Sequence, residues 1–361
     1  MTRFILRRLG IMVATALALT FIVFALTNLP PNLEKLARSE GSVRMSDEAV
    51  ADWLRQNGFG QSLAARYGEW LGVVPGWTYR GEDRVLRGRC FPDGAGDGPA
   101  PTHCGILQGD WGWSTVFRKP VAEVIAQGLA ATGWLMLGVL AVMIPTSLVL
   151  GILAGMREGS RTDRSLSTAA IVTTATPEYV SGVILVALFA SASTGISPIL
   201  RDWGWIEGNT LFQGTATSAM DDITVWNFTL PVLTIALYGI GYVARMTRAS
   251  MTEVMTQQYI RTARLKGVRF RDVVIRHALR NALIAPFTVI MLQFTWLLNG
   301  VVIVETLFNY KGFGWTLVEA AGNNDIQLLL GCSVVAVLVV LVTQLLSDIG
   351  YVFLNPRIRL S

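Results

Sequence analysis

Six apolar runs, five of them long enough by themselves to cross a hydrocarbon layer as a helix, restrict this chain more than any other feature. They are roughly Leu9–Leu29, Ala130–Met156, Ala169–Ala190, Phe228–Val243, Leu283–Val304 and Leu328–Phe353. A hydrocarbon layer about 30 Å thick calls for about 20 apolar residues per helix. The fourth run is short, and its helix is expected to continue from Trp226 past Arg245. Pro177 lies within the third and predicts a kink. Only 15% of the 361 residues are charged, against about a quarter in soluble domains. That deficit is concentrated in the six runs, which is the signature of a membrane protein.

The basic residues set the expected orientation, because Lys and Arg collect in short loops on the cytoplasmic side. Arg3, Arg7 and Arg8 precede the first run, and Arg157, Arg161 and Arg164 follow the second. The loop 245–280 follows the fourth, and Arg357 and Arg359 follow the sixth. With six spans all four groups fall on one side, so both termini are expected to be cytoplasmic. Loop 30–129 is also rich in Arg, but long loops translocate largely regardless of charge. The net charge of +5 then reflects topology and acidic headgroups, and does not support nucleic-acid binding. The Arg-rich start of the first run resembles a signal peptide. The run ends in Asn28-Leu29-Pro30-Pro31, with no small-residue cleavage site, so a retained helix is expected.

Residues 31–129 form the expected exported loop after the first helix. Ser46 can cap a helix, and Ser46–Leu71 reads as helical with an interruption at Gly58 and Gly60 and a second short helix at Leu63–Leu71. Val74–Ile106, rich in Gly, Pro, Arg and Asp, reads as loop. Gln108–Ser114 (QGDWGWS) is a turn-rich stretch before an amphipathic helix at Pro120–Leu129. Trp111, Trp113 and Phe117 suit a membrane interface, as do Trp203, Trp205 and Trp226 in the exported loop Ser191–Asn227. Asn309–Ile326 reads as a short connection. Cys332 is a packing residue in the sixth run. Cys90 and Cys104 bracket a stretch with too little apolar surface to fold unaided. A disulfide closing that loop of about 15 residues would contribute ~3 kcal/mol in the chain-entropy model. The alternatives are two free thiols, or a metal site with His103, whose one His and two Cys make an incomplete zinc shell. No metal is expected.

The sequence has no GxxxxGK[ST] phosphate loop, no Ser/His/Asp set, no HExxH and no CxxC. An intramembrane enzyme is not expected. Ionisable residues inside spans are functional candidates by default, and Glu178 and Asp348 stand out. Glu178 follows Pro177 and could face a cationic group on a substrate or bond within the kink. Asp348 is expected to be solvated or paired near the cytoplasmic interface. Gln293, Asn299 and Gln344 are expected to hydrogen-bond within the bundle.

Between the fourth and fifth runs lies Tyr259–Leu283, in which Arg261, Arg264, Lys266, Arg269, Arg271, Arg276 and Arg280 face one acid, Asp272. Gly267 is the expected break between two helices. Ile260, Ala263, Leu265, Val268, Val273, Val274 and Ala278 make an apolar ridge that could enter a partner's groove. A helix lying on anionic lipid is the other reading, though such a helix gains nothing from a central break.

These residues carry a specific resemblance. Arg261-Thr262-Ala263, Gly267 and His277-Ala278-Leu279-Arg280-Asn281-Ala282 resemble the coupling loop of ATP-binding-cassette importer permeases of the peptide/opine/nickel family. Gly109-Asp110-Trp111-Gly112-Trp113-Ser114, Val304-Glu305-Thr306-Leu307-Phe308, Gly312-Phe313-Gly314 and Asn355-Pro356-Arg357 are similar to that family too. So is the first helix, with its Arg-Arg start and Leu-Pro end, and the likeness runs along nearly the whole chain. Two departures stand out. Many importer permeases have Glu where this chain has Arg261. Gly72–Gln108 is an insertion that the family pattern lacks.

The resemblance implies an all-α, type I importer permease fold of six transmembrane helices with a large periplasmic insertion. The divisions are a first helix at 1–30, a periplasmic loop at 31–129 holding the insertion 72–108, and a five-helix core at 130–361 with its coupling loop at 245–283. It implies a bacterial inner-membrane location and alternating access. The implied partners are a homologous second permease, two ATP-binding subunits and a periplasmic solute-binding protein. No cofactor is expected on this chain, since ATP and magnesium would belong to the ATPase subunits. The residues expected at the coupling surface are Arg261, Thr262, Ala263, Arg264, Lys266, Gly267, Val268 and Arg271. Glu178, Gln293 and Asn299 are the candidates for the translocation pathway. Peptides are the first expectation for substrate, with opines, sugars or nickel as alternatives. Nickel is disfavoured because no His/Cys cluster lines a span.

Overall fold

The computed structural model describes the backbone of residues 2–42, 44–80, 86–91 and 102–354, and their side chains except those of 2–5, 294–300, 347–348 and 350–354. Asn299, Asp348 and Asn355-Pro356-Arg357 therefore lie outside the described side chains. The chain divides into two compact units, Met1–Gln127 with Thr316–Val339, and Gly128–Trp315 with Val340–Ser361.

Unit one begins with α1 (Thr2–Thr27), an apolar helix, followed by α2 (Pro30–Glu40). Ser46 caps α3 (Asp47–Gln56) by accepting from Ala49 N, and Ser62 caps α4 (Leu63–Leu71) by accepting from Ala65 N. Such caps satisfy backbone donors that a helix start leaves free. A core of Phe24, Leu33, Leu36 and Trp70 is closed by Ile326 and Leu330. The rings of Phe21, Phe24, Tyr67 and Trp70 pack at centroid distances of 5.2–5.7 Å. Val74–Ile106 is less irregular than its composition predicts. Thr78–Arg80 (β1) and Leu86–Gly88 (β2) pair antiparallel, and a disulfide joins Cys90 to Cys104. A second small ribbon pairs Trp113–Ser114 (β3) with Lys119–Pro120 (β4). The expected amphipathic helix at Pro120–Leu129 has no separate existence. It is the start of one helix, α5 (Val121–Gly155), because nothing at 129–130 breaks the pattern.

Unit two is built around α9 (Val225–Met255), which does run past Arg245 as its sequence suggests. Leu230, Ile235 and Ala236 of α9 share one buried cluster with Leu135, Val139 and Met143 of α5 and with Val304 and Phe308. The third apolar run is not one helix. It forms α6 (Arg161–Ala175) and α7 (Glu178–Phe189), bent by 109° at Thr176-Pro177. Proline supplies no amide donor and holds the residue before it extended, so the expected kink is a full break. A short helix, α8 (Ser197–Asp202), follows.

Beyond α9 come α10 (Gln258–Leu265), α11 (Phe270–Asp272), a π turn (Val273–Ala278) and α12 (Leu279–Ala282). Then come α13 (Ile284–Leu307), α14 (Phe313–Gly322) and α15 (Ile326–Leu354). The connection Asn309–Ile326, expected to be plain loop, thus holds a helix. Four of the described helical stretches are long and apolar enough to span a membrane alone: Leu6–Thr27, Val121–Gly155, Val225–Met255 and Ile326–Leu346. Two bent pairs raise the number to six if each counts as one span.

Candidate functional site

The basic element of unit two is organised by Gly267. Helix α10 ends at Leu265, and Gly267 takes a left-handed φ of +76°, which costs an L-residue roughly 1–2 kcal/mol and glycine nothing. Its amide donates to Arg264 O at 3.0 Å, and Val268 N donates to Ala263 O at 3.2 Å. The chain then turns into α11, where Arg269 pairs with Asp272 at 3.1 Å.

The apolar ridge of this element is divided: most of it packs inward, against the chain itself, and Leu265 does not. Ile260, Ala263, Val273, Val274 and Ala278 are buried against Met251, with Val268 partly covered beside them. Each helix here is short, and burying its own ridge is what anchors it to α9. Ala263, expected at the coupling surface, is buried within this chain at 7% exposure. Leu265, by contrast, is 80% exposed. Around it Arg261, Thr262, Arg264, Lys266, Gly267 and Arg271 are also exposed. The guanidinium groups of Arg264 and Arg157 each lie 5.7 Å from the Phe270 ring, a cation–π spacing. Asn281 Nδ2 donates to Tyr259 Oη at 2.8 Å and ties the two ends of the element together. The result is one apolar side chain in a rim of cations on a backed, folded platform.

An ion pair that sequence reasoning passed over lies near this element. Asp163 is almost fully buried and accepts from both Nε and Nη2 of Arg248, from Gly159 N and from Ser167 Oγ. It joins the start of α6 to the end of α9. A basic loop in sequence hides such a pair, because one Arg among many carries no mark of its partner.

The second overlooked group is Glu305, fully buried at the end of α13. Thr132 Oγ of α5 donates to one carboxylate oxygen, and Trp315 N donates to the other at 3.0 Å. Phe313 N donates to Thr132 Oγ at 2.8 Å, and Tyr310 Oη to Ala131 O at 2.8 Å. A β-carbon on Gly312 would fall on the carboxylate, closer than atoms can approach. So Val304–Phe308 and Gly312–Gly314 form one knot that folds residues 309–315 back over α5. An acid at the end of an apolar run was the available signal.

Of the three pathway candidates, Asn299 lies outside the described side chains. Glu178 is half-buried in the first turn of α7, where the helix dipole favours an acid. Gln293 is buried on α13, and its amide nitrogen has no hydrogen-bond partner among the described residues. Gln344, expected inside the bundle, is exposed. Trp203, Trp205 and Trp226 are exposed as well.

In unit one, a cavity of about 790 Å³ is lined by Arg66, Glu69, Trp77, Arg89 and Asp110. Burial pushes the Glu69 carboxyl above its ordinary value and pulls the Arg66 and Arg89 guanidiniums below theirs.

A polytopic helical membrane protein with a basic, helix-capped platform between two of its apolar helices is the class these features define. The family described as binding-protein-dependent transport system inner membrane component matches residues 147–360. The chain belongs to that family and is one of its inner-membrane components. It is 31% identical over 370 residues to the di/tripeptide transport system permease protein DppB of Pseudomonas aeruginosa (strain UCBPP-PA14), covering 99% of each. To the dipeptide transport system permease protein DppB of Escherichia coli (strain K12) it is 29% identical over 375 residues, again 99% of each. To the glutathione transport system permease protein GsiC of Salmonella paratyphi A it is 29% identical over 360 residues, with the same coverage.

Proposed function

We propose that this chain is a permease subunit of an ATP-driven importer for short peptides, with the exposed face of α10 and its following turn as the ATPase docking surface. The naming of its full-length relatives as dipeptide, di/tripeptide and glutathione permeases supports the substrate class. The observation that carries the docking role is Leu265, 80% exposed in a cationic rim. A lone apolar side chain held out by a rigid platform suits a partner's pocket. The contact set is Arg261, Thr262, Arg264, Leu265, Lys266 and Arg271. Gly267 sets the turn, and Ala263 and Val268 back it from inside.

In this reading six spans place both termini and the basic platform in the cytoplasm, and place the insertion 72–108 in the periplasm. A second permease, two ATP-binding subunits and a periplasmic binding protein complete the transporter. ATP closes the ATPase pair, the platforms move inward, and the permeases open outward. Glu178, Gln293 and Asn299 line the pathway. Gln293 offers an amide that finds no partner inside the described chain, which a peptide carbonyl could satisfy. Uptake of labelled dipeptide into vesicles holding the assembled transporter tests the reading. Uptake should require ATP and binding protein and should fall sharply with Leu265→Asp. ATP-dependent uptake of another solute class with no dipeptide uptake would overturn the substrate assignment.

A further inference from the structure

Between α5, α6 and α9 runs a cleft of about 340 Å³ that neither the docking surface nor the pathway candidates use. Its walls are small or aliphatic: Leu150, Ala154, Ala169, Ala170, Leu237 and Ala244 are among them. Ser167, Arg245 and Arg248 are at its polar end, and no acid lines it. The cleft is within the size range of small-molecule sites. Along α5 it extends from Val142 to Ala154, which is about 18 Å of helix at 1.5 Å per residue. One leaflet's hydrocarbon is about 15 Å deep, half of a layer about 30 Å thick. The cleft therefore matches the length of one leaflet's acyl layer. An apolar slot of this kind gives water too few partners to hold it.

The charge at the polar end decides the headgroup. Arg248 is matched by Asp163, whose side chain is 3% exposed. Arg245 is exposed, and among the described residues no ion pair engages it, which leaves one unmatched cation where a phosphate would sit. Basic sites between helices on the cytoplasmic side are where anionic headgroups bind.

We propose that this cleft is a binding site for an anionic phospholipid, with an acyl chain along α5 and α9 and the phosphate on Arg245. The leaflet assignment rests on the orientation proposed above, but the binding itself does not. The test uses the full chain in detergent, with phosphatidylglycerol and phosphatidylcholine of equal chain length compared by native mass spectrometry. Phosphatidylglycerol should be retained about fivefold over phosphatidylcholine, the preference expected from one arginine near an anionic headgroup. Arg245→Gln should abolish the preference and Arg245→Lys should keep most of it. Ala169→Phe, which blocks the wall from an exposed position, should reduce retention of both lipids. Glycerol phosphate, which lacks chains, should not compete. Equal retention of the two lipids, or an intact preference in Arg245→Gln, would overturn the proposal. So would loss of the bound lipid when the chain is assembled with its partner subunits, which would make the cleft a subunit contact. Thiol labelling of Arg161→Cys from each side of the membrane reads the orientation separately, so the two failures are distinguishable.

Discussion

The platform of α10–α12 and the knot around Glu305 are both written in sequence as charged residues beside glycine, yet they use those residues in opposite ways. On the platform the charges point outward and the apolar residues hold the element down. In the knot the charge is buried, and backbone amides and a hydroxyl converge on it. Gly267 has open space around it and is needed for its φ, whereas Gly312 is needed because a carboxylate occupies the place of its side chain. A charged motif next to glycine therefore says little by itself. What separates the two cases is whether the acid or base has internal partners. An exposed cation retains its hydration and is available to a partner surface, whereas a buried carboxylate is tolerated only when fully bonded.

That contrast can be broken at several points. Glu305→Ala leaves the Thr132 hydroxyl and the Trp315 amide facing a void. The expected cost is about 3 kcal/mol, from orphaned buried donors, seen as a lower unfolding midpoint in detergent. Unchanged stability would mean that the knot is not structural. Asp163→Ala leaves Arg248 without its partner. Discounted for the partial exposure of Arg248, the cost is about 2 kcal/mol, and Asp163→Asn should recover part of it. Gly267→Val meets no steric clash and carries only the left-handed strain of roughly 1–2 kcal/mol. It should leave insertion and most stability intact while lowering ATP-coupled uptake. Normal uptake in that variant would remove the turn from the mechanism. The smallest expected stability effect is that of Leu265→Ser, within about 0.5 kcal/mol because the site is exposed, with its loss appearing in uptake alone.

How legible was all this in the sequence? The apolar runs gave the helices, and the Ser46 cap and the Leu63–Leu71 helix were readable because capping is local. The length of α9 was readable too. The break at Pro177 was visible as a proline but not as a 109° turn, since the angle depends on what α6 and α7 pack against. Of the apolar ridge, Ile260, Ala263, Val273, Val274 and Ala278 share one buried face, but Leu265 is on the exposed side. Periodicity states that residues share a face but not what covers it. Glu305 and Asp163 were missed because their partners, Thr132 and Arg248, are far away in sequence. Helix α14 was missed for a similar reason: ten residues between glycines read as connection until the knot pins its start.

The most direct test of the docking surface is a photo-crosslinking amino acid placed at residue 265 and, separately, at 263, in the transporter assembled with its ATP-binding subunits. Position 265 should crosslink to an ATP-binding subunit, and position 263 should crosslink only within this chain. Crosslinking of residue 265 to lipid alone, with no ATPase adduct in the assembled complex, would contradict the assignment of this face as the docking surface.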